Sequence, residues 1–249
     1  MPWVETDSLS FSARHELEDA DAAVATLDRL EEYRSELDAL FGTTPGDVAV
    51  VMHAHPAALA LAHPWLPLAR ALAAPAGRRY MAGWFAQDEI HVLSPAVLTT
   101  RASRVAGSRE ALMLSPLHEY THLVLAANNP LLPPPFSVRS FSRYVRWAWL
   151  CEGAAVHFSG QGRHLRAAIA RRLREGGRPA FPPGPRDATL LGGTVLALLA
   201  SGAGQRACVE LVKQLDPRGA AHALESAFAR PLAEVERDWR DYLDGFRAA

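Results

Sequence analysis

The hydrophobic pattern of the chain changes once, near residue 107, and this change limits the folds that it can adopt. Before it, short apolar or β-branched runs alternate with helical segments, and after it only helical patterns follow. The strand signals lie at 11–17, 47–53, 80–85 and 89–93. We therefore predict an α+β fold, in which a small mixed sheet with helices precedes a mainly helical C-terminal half.

Helical patterns account for most of the remaining chain. Over 19–41 apolar residues recur at spacings of three, four and seven, and Gly42 stands where a C-cap is expected. Prolines are expected to break 57–73 and to interrupt 108–127 once, at Pro116. Beyond these we predict a loop over 128–135, a helix over 141–158, a loop over 176–185 and further helices, the last with Pro231 in its first turn.

Composition excludes several classes of protein. The chain has 249 residues, of which 49% are hydrophobic, so we expect a single folded domain over 1–249, with an N-terminal part of about 1–127 and a helical part of about 137–249. Its 26 basic and 27 acidic residues give a net charge of −1, which argues against nucleic-acid and membrane partners. Two cysteines exclude a disulfide framework and a cysteine-rich zinc site.

The N-terminus and the apolar runs indicate where in the cell the protein is located. The first residues show neither the basic region nor the apolar region of a signal peptide. The longest apolar run, 190–200, is too short to cross a bilayer. We therefore expect a soluble, cytoplasmic protein.

One short motif carries most of the chemical information. Residues 118–122 read His-Glu-Tyr-Thr-His, and residues four apart lie on the same face of a helix. His118 and His122 can therefore bind one metal ion together, with Glu119 beside it. Apolar residues flank the motif, so its helix is expected to be buried, where an unpartnered Glu costs several kcal/mol. A metal ion is the simplest partner.

A third ligand has to come from another segment. Glu152 is an isolated acid in an apolar helix that reads Trp-Leu-Cys-Glu-Gly-Ala-Ala-Val over 149–156. The small residues after it permit another helix to approach closely. The alternative is a core Glu that forms an ion pair with Arg143 or Arg146.

The two segments together resemble those of a known group of enzymes. An H-E-x-x-H motif followed by W-L-x-E-G-x-A, here at 149–155, resembles the gluzincin zinc metallopeptidases, and most closely the peptidase MA-like family. The resemblance extends to the hairpin that contains Gly83 and to a Leu-x-x-Val-Glu-x-x-Trp pattern over 232–239. It implies a zincin-like fold.

The same resemblance implies the roles of the site residues. His118, His122 and Glu152 would be the ligands of Zn²⁺, and Glu119 the general base for a metal-activated water. A peptide substrate would lie along the hairpin strand at 82–85 by strand addition.

Other positions differ from the family pattern. The resemblance implies a Tyr or His that holds the oxyanion, and 191–196 contains neither. The substitutes that the sequence offers are Tyr120, Tyr144 and His157. Arg143 is a candidate to bind a substrate carboxylate, and each of these is otherwise an ordinary core or surface residue. Thermolysin-like members have an Asp four residues after the ligand Glu, where this chain has Val156. The residues that orient the two histidines are therefore not identified from the sequence.

We predict a zinc-dependent peptidase that acts on a peptide or protein substrate. Two alternatives remain open. One is a metal-binding module with the same scaffold and little or no turnover, and the other is a zinc hydrolase that acts on a non-peptide amide.

Overall fold

Five short strands form one mixed sheet with the order β1-β2-β3-β5-β4 in a computed structural model that describes residues 3–247. The strands β2, β3 and β5 run parallel, and the outer pairs β1/β2 and β4/β5 are antiparallel. Their bounds are Trp3–Asp7 (β1), Phe11–Glu16 (β2), Val48–His53 (β3), Gly83–Phe85 (β4) and Glu89–Leu93 (β5).

Helices form the rest of the regular structure, and most of them follow the sheet in sequence. Those in the first half are α1 (Ala20–Phe41), α2 (Pro56–Ala62), α3 (Trp65–Leu72), α4 (Pro75–Arg78), α5 (Pro95–Arg101), α6 (Ser108–Met113) and α7 (Ser115–Asn128). Those in the second half are α8 (Val138–Arg146), α9 (Ala148–Phe158), α10 (Arg166–Glu175), α11 (Ala188–Lys213), α12 (Ala220–Phe228) and α13 (Leu232–Arg247). The α+β prediction, with the sheet first and helices after it, is confirmed.

The element boundaries differ from the predictions in three places. The edge strand β1 was not predicted, because its sequence has acids at two of five positions. Pro116 does not interrupt a helix; the break lies at Leu114, and Pro116 stands in the first turn of α7, where a missing N–H costs nothing. The helix predicted over 141–158 is divided at Trp147 into α8 and α9.

The motif helix α7 lies at the centre of the molecule. It contacts β4 and β5 on one side and α9 on another, and α1 also packs against it. Every residue from Ser115 to Leu125 is buried. The buried hydroxyl of Tyr33 on α1 donates to Oγ1 of Thr121, a residue of the motif, at 2.7 Å, and Thr121 donates to the carbonyl of Leu117. The sheet and α1 thus fix the motif helix in position.

The helices α9 and α11 cross at two glycines. A Cβ added to Gly153 would lie 2.6 Å from the carbonyl carbon of Gly192, and one added to Gly192 would lie 2.5 Å from the carbonyl oxygen of Trp149. Both contacts are with backbone atoms, which cannot rotate away. This crossing holds the segment that contains Glu152 against the start of α11.

Replacing Gly192 with Ala is expected to destabilise the fold by about 1–3 kcal/mol, because the two helices must move apart. Gly202 lies on the exposed part of the same helix with no atom within 4 Å of an added Cβ, so Gly202→Ala is the matched control. We expect the control to be neutral or to stabilise by up to about 1 kcal/mol. Denaturant unfolding compares the two, and equal midpoints would show that the crossing is not tightly packed.

Within residues 3–247, α11 is the one helix whose length and composition would allow it to cross a membrane. Its first half is largely buried in the protein core against α9. Gly204 has φ 81° and ψ 170°, so the helix is broken near its middle. These features are typical of a core helix, and α11 is weak evidence for a membrane span.

Candidate metal centre

Three predicted ligands meet in the core between α7 and α9. His118, His122 and Glu152 are all buried, and one ligand atom from each lies within 4.8 Å of the others. The two Nε2 atoms of the histidines are 3.2 Å apart. The Glu152 carboxylate oxygens lie 3.4 Å from Nε2 of His122 and 3.7 Å from Nε2 of His118. The fold therefore brings the two histidines of the motif on α7 together with Glu152 on α9, as predicted.

These separations fit a metal ion. Two ligand atoms that each lie about 2.0–2.2 Å from a tetrahedral ion are about 3.3–3.6 Å apart. The two Nε2 atoms are 3.2 Å apart, and they lie 3.4 and 3.7 Å from different oxygens of Glu152, all close to that range. The His118, His122 and Glu152 group could hold a metal ion.

The protonation states of His118 and Glu152 also suit a cation. Burial lowers the pKa of His118 to about 4 and outweighs the opposing effect of Glu152, so the imidazole is neutral at pH 7. Burial alone would raise the pKa of Glu152, but its contacts with His122, His118 and Tyr144 outweigh it. The pKa of Glu152 is lowered to about 2, and its carboxylate is ionised. A neutral imidazole and a carboxylate are the forms that bind metals.

Gln161 orients His118. Its side-chain oxygen lies 2.8 Å from Nδ1 of His118, and its side-chain nitrogen donates to the carbonyl of Ala111 at 2.8 Å. The second bond fixes which end of the amide faces the imidazole, so Nδ1–H of His118 donates and Nε2 keeps its lone pair for a ligand. Gln161 lies in a short 3-10 turn after α9. No spacing in the sequence indicated it.

Replacing Gln161 with Leu is expected to weaken metal binding by about 10–100-fold, because His118 loses the acceptor that fixes its tautomer. The chain offers a matched control in Gln205, an exposed residue whose side-chain oxygen lies 2.7 Å from Nε2 of His157. Competition titration with a fluorescent chelator measures both variants. Equal affinities for Gln161→Leu and Gln205→Leu would show that the Gln161 contact does not tune the site.

Two hydroxyls hold the carboxylate of Glu152. Tyr144 donates a short hydrogen bond to Oε1, and Thr189 donates to Oε2 at 3.2 Å. Burial and the charge of Glu152 raise the pKa of Tyr144 well above its ordinary value, so the phenol remains a donor. No arginine is among the hydrogen-bond or ion-pair partners of Glu152 within residues 3–247, so the pairing with Arg143 or Arg146 is not formed.

The β4–β5 hairpin covers the other side of the motif. Phe85 stacks on the ring of His122 with 4.2 Å between ring centroids. A Cβ on Gly83 would lie 2.6 Å from Cγ and Oε1 of Glu119, so only glycine permits this approach. The predicted hairpin thus packs directly on the second and fifth residues of the motif.

Glu119 lines the same small cavity as the three ligands. The cavity has a volume of about 10 Å³, which is close to that of one water-sized sphere. Burial raises the pKa of Glu119 well above its ordinary value, the nearby Glu152 raises it further, and Arg70 opposes them. The cavity is completed by Tyr80, Met81, Gly83, Trp84, Phe85, Tyr144 and Thr189. A carboxyl group therefore lies beside the point where a cation could be held.

The four predicted substrate or transition-state contacts are placed differently. Tyr144 lines the cavity. The guanidinium of Arg143 donates to the carbonyl of Leu131 at 2.6 Å, His157 pairs with Gln205, and the hydroxyl of Tyr120 donates to the carbonyl of Pro45 at 2.6 Å. Arg143, His157 and Tyr120 do not line the cavity, so the structure gives no support to a role for these three residues at the metal centre.

Comparison of the chain with protein-family models, with curated proteins and with solved structures gives no match. The gluzincin resemblance therefore stays a prediction that rests on the two sequence segments.

Proposed function

We propose that this protein is a metal-dependent peptidase of the gluzincin type, with Zn²⁺ held by His118, His122 and Glu152. The observation that carries the proposal is the position of Glu119 on the wall of the cavity that the three ligands share. A site that only stores a cation has no need of a further buried acid, and burying one without a partner is costly.

The residues would divide the chemistry between them. A divalent cation in this position supplies polarisation of a carbonyl and makes a water molecule more acidic. Glu119 accepts the proton of the attacking water and returns it to the leaving amine. Burial raises its pKa, so its carboxylate is a stronger base than that of an exposed Glu.

Substrate binding is proposed at the edge of the sheet. β4 is the last strand in the order, so one of its edges has no neighbouring strand among the described residues. An extended peptide can add to such an edge through main-chain hydrogen bonds. The phenol of Tyr144 is the proposed donor to the developing oxyanion, since it lies on the cavity wall, and its proton would have to turn from Glu152 to the substrate.

A metal-binding module with little turnover is the second candidate. The small volume of the cavity favours it, because about 10 Å³ accommodates a water-sized body and no peptide group. The peptidase proposal therefore requires Tyr80 or Met81 on the cavity wall to move when a substrate enters.

Incubation of the purified protein with a mixture of synthetic peptides, read by mass spectrometry, tests the proposal. We expect cleavage that stops with 1,10-phenanthroline and returns when Zn²⁺ is added. A protein that contains stoichiometric metal and cleaves none of the peptides would support the binding module.

A further inference from the structure

A larger cleft opens next to the metal centre. Its volume is about 650 Å³, within the range of about 300–1,000 Å³ that is usual for ligand sites. Tyr80 lines both this cleft and the metal cavity. Asp187, another lining residue, lies two residues before Thr189, which holds the carboxylate of Glu152. The cleft and the metal cavity are therefore adjacent at Tyr80.

Arginine is the most frequent residue type in the lining of the cleft, and two of these arginines form ion pairs within the protein. Arg172 donates from Nε and Nη2 to the two carboxylate oxygens of Asp187 at 2.7 and 2.8 Å, and from Nη1 to the carbonyl of Gly177. Arg171 pairs with Glu175 at 2.8 Å. These two pairs are electrically neutral and brace the wall of the cleft.

Three arginines remain without an acidic partner. Arg79, Arg178 and Arg186 line the cleft, are exposed, and form no ion pair with any residue in the described part of the chain. The two acids that line the cleft already form ion pairs, Glu175 with Arg171 and Asp187 with Arg172. A surplus of three positive charges therefore faces one cleft of a chain whose net charge is −1.

We propose that this cleft binds the acidic segment of a peptide substrate, with its carboxylates against Arg79, Arg178 and Arg186. The proposal rests on the proposed peptidase function, and it names the substrate class. The planar guanidinium group matches a carboxylate with two parallel hydrogen bonds. Tyr80, Val105 and Ala168 give the cleft an apolar surface on which the aliphatic stems of Glu side chains can pack.

Fluorescence anisotropy tests the cleft without requiring cleavage. The probes are fluorescein-labelled AEEAEA and AQQAQA, which have the same length and differ in charge, and the protein is the full chain with Glu119→Gln. We expect AEEAEA to bind about tenfold more tightly at low ionic strength, and the difference to shrink as salt is added. If the variant does not fold, wild-type protein from which a chelator has removed the metal is used for the same binding measurement.

Substitution of the arginines tests which residues of the cleft bind the acidic peptide. The double substitution Arg178→Gln and Arg186→Gln is expected to weaken AEEAEA about tenfold and to leave AQQAQA unchanged. The matched control is Arg206→Gln, an exposed arginine on α11 outside the cleft. Equal binding of both peptides, or an equal loss with Arg206→Gln, would overturn the proposal. Tighter binding of a single-stranded oligonucleotide than of AEEAEA would also overturn it, in favour of a nucleic-acid partner.

The two proposals fail separately. Selective binding of AEEAEA by a protein that cleaves no peptide contradicts the peptidase function and leaves an acidic-peptide cleft. Cleavage of neutral and acidic peptides at equal rates, with no charge effect on binding, contradicts the cleft and leaves the peptidase function.

Discussion

Replacing Glu119 with Gln is expected to abolish peptide cleavage and to leave the metal bound. The amide has the same shape as the carboxylate, so the packing against Gly83 is kept, but it cannot accept a proton. Loss of a positioned general base lowers the rate by about 10²–10⁴-fold. Cleavage assays and metal analysis on the same preparation measure the two effects together.

A matched control separates the role of Glu119 from a general effect of charge. Glu210 is exposed on α11, and Glu210→Gln makes the same chemical change away from the cavity. We expect the control to cleave as the wild type does. If Glu119→Gln retained full activity, the proposed mechanism would be wrong; if it lost the metal, Glu119 would have a structural role that the mechanism does not include.

Replacing Glu152 with Ala is expected to remove the metal. The two histidines alone leave a buried cation with only neutral protein ligands and without the charge that offsets its desolvation. The hydroxyls of Tyr144 and Thr189 also lose their acceptor in the core, so the variant should be less stable than the wild type. Glu152→Gln keeps the volume of the side chain and is the variant to use if Glu152→Ala does not fold.

The experiment measures metal per chain after gel filtration, with circular dichroism to establish that each variant is folded. His157→Ala and Glu210→Ala are matched controls, since His157 does not line the metal cavity and Glu210 is exposed. We expect both controls to retain the metal. Retention of the metal by folded Glu152→Ala would assign the third ligand to another residue.

The ligand set was predictable because two of its members belong to one helix. The i, i+4 spacing of His118 and His122 fixes them on one face before anything is known of the tertiary structure. Glu152 could be predicted because an acid in an apolar helix requires a partner. The sequence does not contain the distance between α7 and α9, which carry the ligands. The close approach of α9 to α11 at Gly153 and Gly192 holds the segment with Glu152 in place, and it too depends on the tertiary structure.

The residues around the ligands could not be predicted in the same way. Gln161 and Thr189 reach the site from a short turn and from the start of α11, and neither has a periodic relation to the motif. The position four residues after Glu152 is the apolar Val156, and nothing near it in sequence indicates that the amide of Gln161 orients His118. Contacts of this kind depend on the path of the chain between helices.

One predicted contact lies elsewhere in the fold. Arg143 precedes Glu152 on the helix predicted over 141–158 and was a candidate to bind a substrate carboxylate. The break at Trp147 redirects the chain, and the Arg143 guanidinium donates to the carbonyl of Leu131. Tyr144, the next residue, lines the metal cavity. A one-residue difference in position on a helix is about 100° of rotation, which is enough to decide between the two sides.

Metal analysis of the native protein by inductively coupled plasma mass spectrometry determines whether His118, His122 and Glu152 form a metal site. We expect about one divalent ion per chain, lost on substitution of His118 and retained on substitution of His157. Native protein that contains no stoichiometric metal and takes up none from a Zn²⁺ solution would show that the three residues do not bind a metal.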